Sequence, residues 1–176
     1  TFAACIFIGG VEFTETKFGV NTNFIDTHFR GYAGFDECEF KYFAYFNRSV
    51  FEGYATFRKS ILSFETYFDD AIFKGKADFS ATNPTEHSES QNSESDVIQG
   101  VSFKNASFFR EVSFANRKIL YELIFINTNF FEPPIFDNVS GAHLIDLTGA
   151  NIRYHPSHGG HLSFQLTPDT DILLRF

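Results

Sequence analysis

The stretch Phe24-Ile25-Asp26-Thr27-His28-Phe29-Arg30-Gly31-Tyr32-Ala33-Gly34-Phe35-Asp36-Glu37-Cys38-Glu39-Phe40-Lys41-Tyr42-Phe43-Ala44-Tyr45-Phe46 decides the fold. Phenylalanine recurs in it at 24, 29, 35, 40 and 46, so the spacing alternates five and six. The same beat runs outward through Phe2, Phe7, Phe13 and Phe18 on one side. On the other it continues through Phe51, Phe57, Leu62, Phe68, Phe73 and Phe79. After a break it resumes at Phe103, Phe108, Phe114, Ile119, Phe125, Phe130 and Phe136. Twenty of the 26 Phe lie on this lattice, so the aromatic content is a consequence of repetition.

The two steps add to an 11-residue period, which can also describe a right-handed helical supercoil. A helix needs apolar positions at three- and four-residue intervals. Here they fall at i−2 and i, then skip. The i−2 place holds a small residue, as in Val11, Thr22, Thr27, Ala33, Cys38, Ala44, Ser49, Ala55 and Ser60. Residues at i−2 and i share one side of an extended strand, so each short strand sends one small and one large side chain inward. Lys41, Arg58, Lys59 and Asp69 then point to solvent. This pattern predicts an all-β solenoid.

The units Ala77-Asp78-Phe79, Ala106-Ser107-Phe108 and Ala150-Asn151-Ile152 resemble those of the pentapeptide-repeat family. The resemblance covers roughly residues 1–80 and 101–152. It implies a right-handed quadrilateral β-helix with four units per coil and the central residues stacked inside. The chain departs from the family by a sixth residue in every second unit. One coil therefore takes about 22 residues, with the extra residue expected to bulge at two diagonal corners. A two-sided solenoid with a coil half as long is the structural alternative; two facing Phe stacks and two small-residue stacks do not close in so thin a loop. The expectation is about six coils, a rod roughly 30 Å long at ~4.8 Å per coil.

The solenoid is expected over 1–152, with an irregular cap or connector at 153–176. It is broken by a polar, acidic, Ser-rich insertion at about 81–99. That segment lacks aromatics, cannot bury enough to order itself, and reads as a flexible surface loop. Neither end carries an evident cap, and solenoids need capped ends. The chain therefore reads as a fragment of a larger protein, or as one that self-associates through a solenoid end.

Net charge is −8, but half of it sits in residues 80–100, which hold four acids and no base. An acidic chain without a Lys/Arg cluster is a poor nucleic-acid binder. No apolar run reaches membrane-spanning length, and no leader pattern directs secretion. Cys5 and Cys38 both occupy i−2 places three repeats apart, which puts them on opposite faces as reduced thiols. Reduced thiols fit a cytoplasmic location, or the cytoplasmic part of a membrane-associated protein.

Catalytic signatures are missing: there is no nucleophile elbow, phosphate-cradling loop or dinucleotide fingerprint. His155, His158 and His161 form the one group of ligand-like composition, but their spacing matches no strong metal motif and reads as a turn. No metal or cofactor is expected.

The off-lattice aromatics say more. With the coil length as a ruler, Tyr42 stacks on Phe64 and Tyr45 on Tyr67, with Phe43 between. Such vertical pairs can be plain cross-strand stabilisers, and as a contiguous exposed edge these five are also a candidate protein-contact surface. Tyr32 and Tyr54 stack on the diagonally opposite edge. The expected function is a noncatalytic protein-interaction or scaffolding rod with an unknown protein partner. The resemblance supplies an alternative, because some family members mimic duplex DNA and modulate type II topoisomerases. The charge of this chain fits that imperfectly, since acids and bases are interspersed along the ordered parts.

Overall fold

A computed structural model describes residues 1–63, 65–81, 97–141, 144–153, 164–166 and 173–176. Among the described residues every regular element is a strand, and every strand pairing is parallel. Register confirms the coil at its ~22-residue spacing: Ile6 pairs with His28, His28 with Val50, and Val50 with Ile72. Across the insertion Ile72 pairs with Ser107, and the regular step then returns with Ser107 and Asn129. The chain winds as a solenoid of about six turns.

Each coil has four sides. The first carries a seven-stranded sheet from Ile6–Phe7 to Asn151–Ile152. The second carries five strands, including Val11–Glu12, Ala33–Gly34, Ala55–Thr56 and Ala77–Asp78. Strands such as Lys17–Phe18 and Glu39–Phe40 form the third side, and Asn21–Asn23, Phe43–Tyr45 and Thr66–Tyr67 the fourth. These two sides merge into one sheet because Val97–Ser102 and Lys118–Ile124 run unbroken around their shared corner.

Lattice residues fill the interior as vertical stacks. Phe24, Phe46, Phe68 and Phe103 are fully buried, and successive rings lie 4.7–5.0 Å apart within 11° of parallel. Phe35, Phe57 and Phe79 stack likewise at 4.8 and 4.9 Å. These two columns belong to diagonally opposed sides and meet edge-to-face on the axis: Phe46 and Phe57 are 5.5 Å apart at 90°, and Phe57 and Phe68 5.2 Å apart at 88°. Parallel stacking along the rod and edge contact across it are the two arrangements that a ring quadrupole favours. The third-side column lies off this axis and passes from Phe18 and Phe40 to the aliphatic Leu62, Ile98 and Ile119.

The two step lengths build two kinds of corner. Within the regular five-residue steps the chain makes a hydrogen-bonded turn, as in Thr27 N–H to the Phe24 carbonyl (3.1 Å) and Ser49 N–H to Phe46 (3.1 Å). The third residue of these turns is left-handed, at Ala4, Glu15, Asp26, Glu37, Arg48, Lys59 and Asp70, then Asn105, Asn116, Asn127, Asn138 and Gly149. The six-residue steps occupy the other two corners, which are diagonal to each other, and the extra residue is taken up in an open bend. At one of these edges the bend residue is Gly9, Gly31, Gly53 and Gly75. A Cβ on Gly53 would lie 2.5 Å from the Gly31 carbonyl oxygen, and one on Gly75 would come still closer to that of Gly53, so coils there meet backbone on backbone. The opposite edge has Val20, Tyr42 and Tyr121 instead.

The small residues also divide into two classes. Those after bends, such as Ala33, Ala44, Ala55 and Ala77, are apolar filler. Those after turns hold the coils together: Thr27 Oγ1 donates to the Phe2 carbonyl (2.6 Å), Ser49 Oγ to Phe24 (2.7 Å) and Thr128 Oγ1 to Phe103 (2.6 Å). Ser60 Oγ donates to Phe35 in the same way, and the Cys38 thiol to Phe13 at 3.2 Å. In each case the acceptor lies 25 residues back. Burial pushes the Cys38 thiol up to about 12.

One member of this series is Arg117, fully buried at an i−2 place. Its Nε donates to the Phe79 carbonyl (2.5 Å) and Nη2 to the Phe57 and Ser60 carbonyls (3.1 and 3.0 Å). Phe57 and Ser60 lie two coils earlier, on the coil below the point where the chain leaves the regular repeat. A guanidinium has the reach and the five donors for this; a hydroxyl serves only the adjoining coil.

The lattice resumes earlier than the Phe count alone indicates. Ile98 is fully buried in the Leu62 column, and Val97–Ser102 is a six-residue strand. The step from Ile98 to Phe103 is five where the repeat calls for six, and the register shifts between Ile98 and Gly100. Residues 82–96 lie outside the described residues.

Candidate functional site

Four of the five aromatic residues assigned to one edge come together there. Phe43–Tyr45 pairs with Asn21–Asn23 and with Thr66–Tyr67, which places Tyr45 directly beneath Tyr67. The Tyr45 and Tyr67 rings stack at 5.7 Å and 8°, and Phe43 stacks on Tyr45 at 6.0 Å and 12°. Tyr42 occupies the bend and is 48% exposed, while its carbonyl accepts the Ser63 hydroxyl. Phe64 lies outside the described residues. The same corner column extends the edge along the rod with Val20 (59% exposed), at a bend, and, beyond the insertion, Tyr121 (53%), within the strand Lys118–Ile124.

Carboxylates surround this edge. Burial raises the Tyr67 phenol, and the charges of Glu65, Asp69 and Glu122 push it further in the same direction. Asp69 is committed to the next coil, accepting from the Ser102 hydroxyl (2.5 Å) and the Lys104 N–H (3.0 Å). Asp36 plays the same part elsewhere, taking the Thr56 hydroxyl and the Arg58 N–H (2.9 Å).

About half of the charges among the described residues pair along the rod, because one coil places an acid beside a base. Arg48 forms a two-pronged pair with Asp26 (2.7 and 2.7 Å), and Arg58 binds Asp36 (2.8 and 3.0 Å). Lys17 pairs with Glu39, Lys59 with Glu37, Lys74 with Glu52 and Lys76 with Glu111 at 3.1–3.3 Å. His28 Nε2 also lies 3.2 Å from Glu52 Oε1, out of line for a good hydrogen bond. A cleft of about 220 Å³ lined by Asp36, Glu37, Arg58, Lys59 and Asp78 is chemically committed: each of its carboxylates is already bound, Asp78 by the Tyr54 hydroxyl at 3.1 Å.

Tyr32 and Tyr54 meet at 6.0 Å on the diagonal edge, as expected. Higher on that edge is a second aromatic pair that the sequence reading passed over. Phe109 and Phe131 stack at 4.3 Å, and the Arg153 guanidinium lies 4.1 Å over the Phe131 ring. Both are off-lattice and one coil length apart, which is the signal that would have found them. Cys5 and Cys38 are free thiols on the first and third sides, which oppose each other. His155, His158 and His161 lie outside the described residues. Among the described residues no group of three or more His, Cys, Asp or Glu is placed to hold a metal, and no helix is long and apolar enough to cross a membrane.

No family model matches the sequence, and no curated protein and no solved structure matches it.

Proposed function

We propose that this protein is a noncatalytic interaction rod of the pentapeptide-repeat type, and that the Tyr42–Tyr67 edge contacts a protein partner. One observation carries the reading. Of the two six-residue edges, the first has its corner position closed by glycines over four coils, with Tyr54 and Phe109 exposed only beside that corner. The second turns Val20, Tyr42 and Tyr121 outward at the corner position itself, with the Tyr45–Tyr67 stack beside them. Exposed aromatic surface of this kind is what protein contacts use. The topoisomerase reading has less support, since among the described residues half of the acids that would imitate phosphates are paired with bases, most of them one coil away.

A photo-crosslinking residue placed at Tyr42 in the full-length protein, inside its own cell, tests the proposal. A discrete adduct is expected from Tyr42 and Tyr121 and none from Thr14, an exposed turn position on another corner. Adduct yield is expected to fall when Tyr67→Leu is added. Equal adducts from Thr14, or none from either tyrosine, would refute it.

A further inference from the structure

Among the described residues, Glu65 and Glu122 are two of the carboxylates that the one-coil charge pairing leaves without a base, and they are the two that flank the aromatic edge in a single column. They stand in one column of the aromatic edge: Thr66 pairs with Val101, and Gly100 with Glu122, so Gly100 occupies the rung between them. Two rungs separate their backbones by ~10 Å. With a glycine in between, that rung carries no side chain. Beside the column stands the Tyr45–Tyr67 stack, and Tyr121 is the residue next to Glu122. The nearest bases in sequence and column, Lys41, Lys104 and Lys118, make no ion pair with either carboxylate.

We propose that the aromatic edge receives an extended basic segment of a partner protein, with one of its arginine side chains seated over Tyr67 between Glu65 and Glu122. Charge complementarity selects the occupant. Two carboxylates on either side of an empty rung present acceptors to a planar cation from both directions, and an arginine fork has donors for both. The ring of a tyrosine beside it offers its negative face to the same cation. The stripe from Val20 to Tyr121 spans four coil steps, roughly 19 Å at the inter-strand spacing, and is narrow, which suits a strand-like segment lying along the rod rather than a helix. The proposal rests on the reading of this edge as a protein contact.

The test uses the 176-residue chain with two fluorescein-labelled peptides, (Arg-Thr)4 and its neutral counterpart (Gln-Thr)4, followed by anisotropy at physiological salt. The arginine peptide is expected to bind at least tenfold more tightly. Glu65→Gln with Glu122→Gln is expected to abolish the difference, while Glu15→Gln with Asp70→Asn, which removes two acids at other corners, changes affinity less than twofold. Equal binding of the two peptides, no binding of either, or an equal effect of the control pair overturns the cation proposal. Where the peptides do bind in such a case and Tyr67→Leu and Tyr42→Ser weaken that binding, the edge reading stands alone; if neither changes it, or if neither peptide binds, that reading falls back on the crosslinking result.

Discussion

Replacing Arg117 sets two large effects against each other. Arg117→Met keeps the stem in the core and removes the charge. Removing a buried guanidinium relieves a desolvation cost of several kcal/mol. Against this, the Phe79, Phe57 and Ser60 carbonyls lose donors at 2.5, 3.1 and 3.0 Å. Each buried acceptor left bare costs about 1–3 kcal/mol, and the three together outweigh the relief. The expected loss is about 2–4 kcal/mol. Arg117→Lys is the sharper variant, because it keeps a charge in the core without the fork that satisfies three acceptors; about 3–5 kcal/mol is expected, as for other uncompensated buried charges. Lys118→Met, at the exposed neighbour, is expected to stay within about 0.5 kcal/mol. Urea titrations followed by far-UV circular dichroism and tyrosine fluorescence give the comparison, read as midpoint shifts with m checked. Hydrogen exchange in the 57–60 turn is expected to accelerate in both Arg117 variants. Wild-type stability in Arg117→Lys would refute the idea that the fork, rather than mere volume, holds this corner.

Other consequences of the winding can be measured separately. Phe57→Ala removes a ring stacked on two neighbours and edge-on to three more, and is expected to cost about 3–5 kcal/mol, whereas Phe109→Ala, 41% exposed, costs far less; equal effects in thermal melts would contradict the placement. Gly53→Ala drives a methyl to 2.5 Å from the Gly31 carbonyl oxygen and is expected to destabilise by about 1–3 kcal/mol, while the same change at Gly19, where a Cβ meets nothing within 4 Å, is expected to be mild. With the Cys38 thiol raised to about 12, iodoacetamide at about pH 8 is expected to label Cys5 first; peptide mapping that finds Cys38 equally modified would argue against its burial. Arg48 holds the Asp26 carboxyl below its usual range, and Lys74, then His28, do the same for Glu52. Lowered folded-state values mean that this stability is present above the ordinary carboxylate range and is lost as pH falls through the folded values. Melting temperature is therefore expected to drop on acidification below about pH 4, and to drop less in Arg48→Gln.

The winding was legible because its signal is redundant. Each Phe marks a strand, and the sum of two step lengths turns chain distance into vertical distance, which is why Tyr45 and Tyr67 could be paired before any geometry was known. What escaped the reading had no such redundancy. Ile98 carries the lattice without being aromatic, and it follows a step lengthened by the insertion. The division of small residues into hydroxyl staples and apolar filler depends on knowing which corners are tight turns. The clue was Asn105, Asn116, Asn127 and Asn138 at intervals of 11, since asparagine tolerates the left-handed region. In the first half Glu15, Glu37, Arg48 and Lys59 sit in the same conformation and hide it. Arg117 reads as a surface base until the lattice frame turns it inward, and even then its acceptors, 38, 60 and 57 residues back, follow from the insertion rather than from a local pattern. At the edge, the ruler placed the aromatics, but the unpaired state of Glu65 and Glu122 emerges only once the other charges have been matched along the rod.

Spin labels at Glu15 and Asn138 test the winding most directly, in a Cys5→Ser, Cys38→Ser background. Both residues sit at the same left-handed turn position on one corner. The four-sided coil puts them five coils apart, so pulsed dipolar spectroscopy is expected to give about 24 Å plus the label linkers. A coil half as long would place them ten coils apart, and a separation of about 48 Å would contradict the four-sided rod on which the aromatic edge depends.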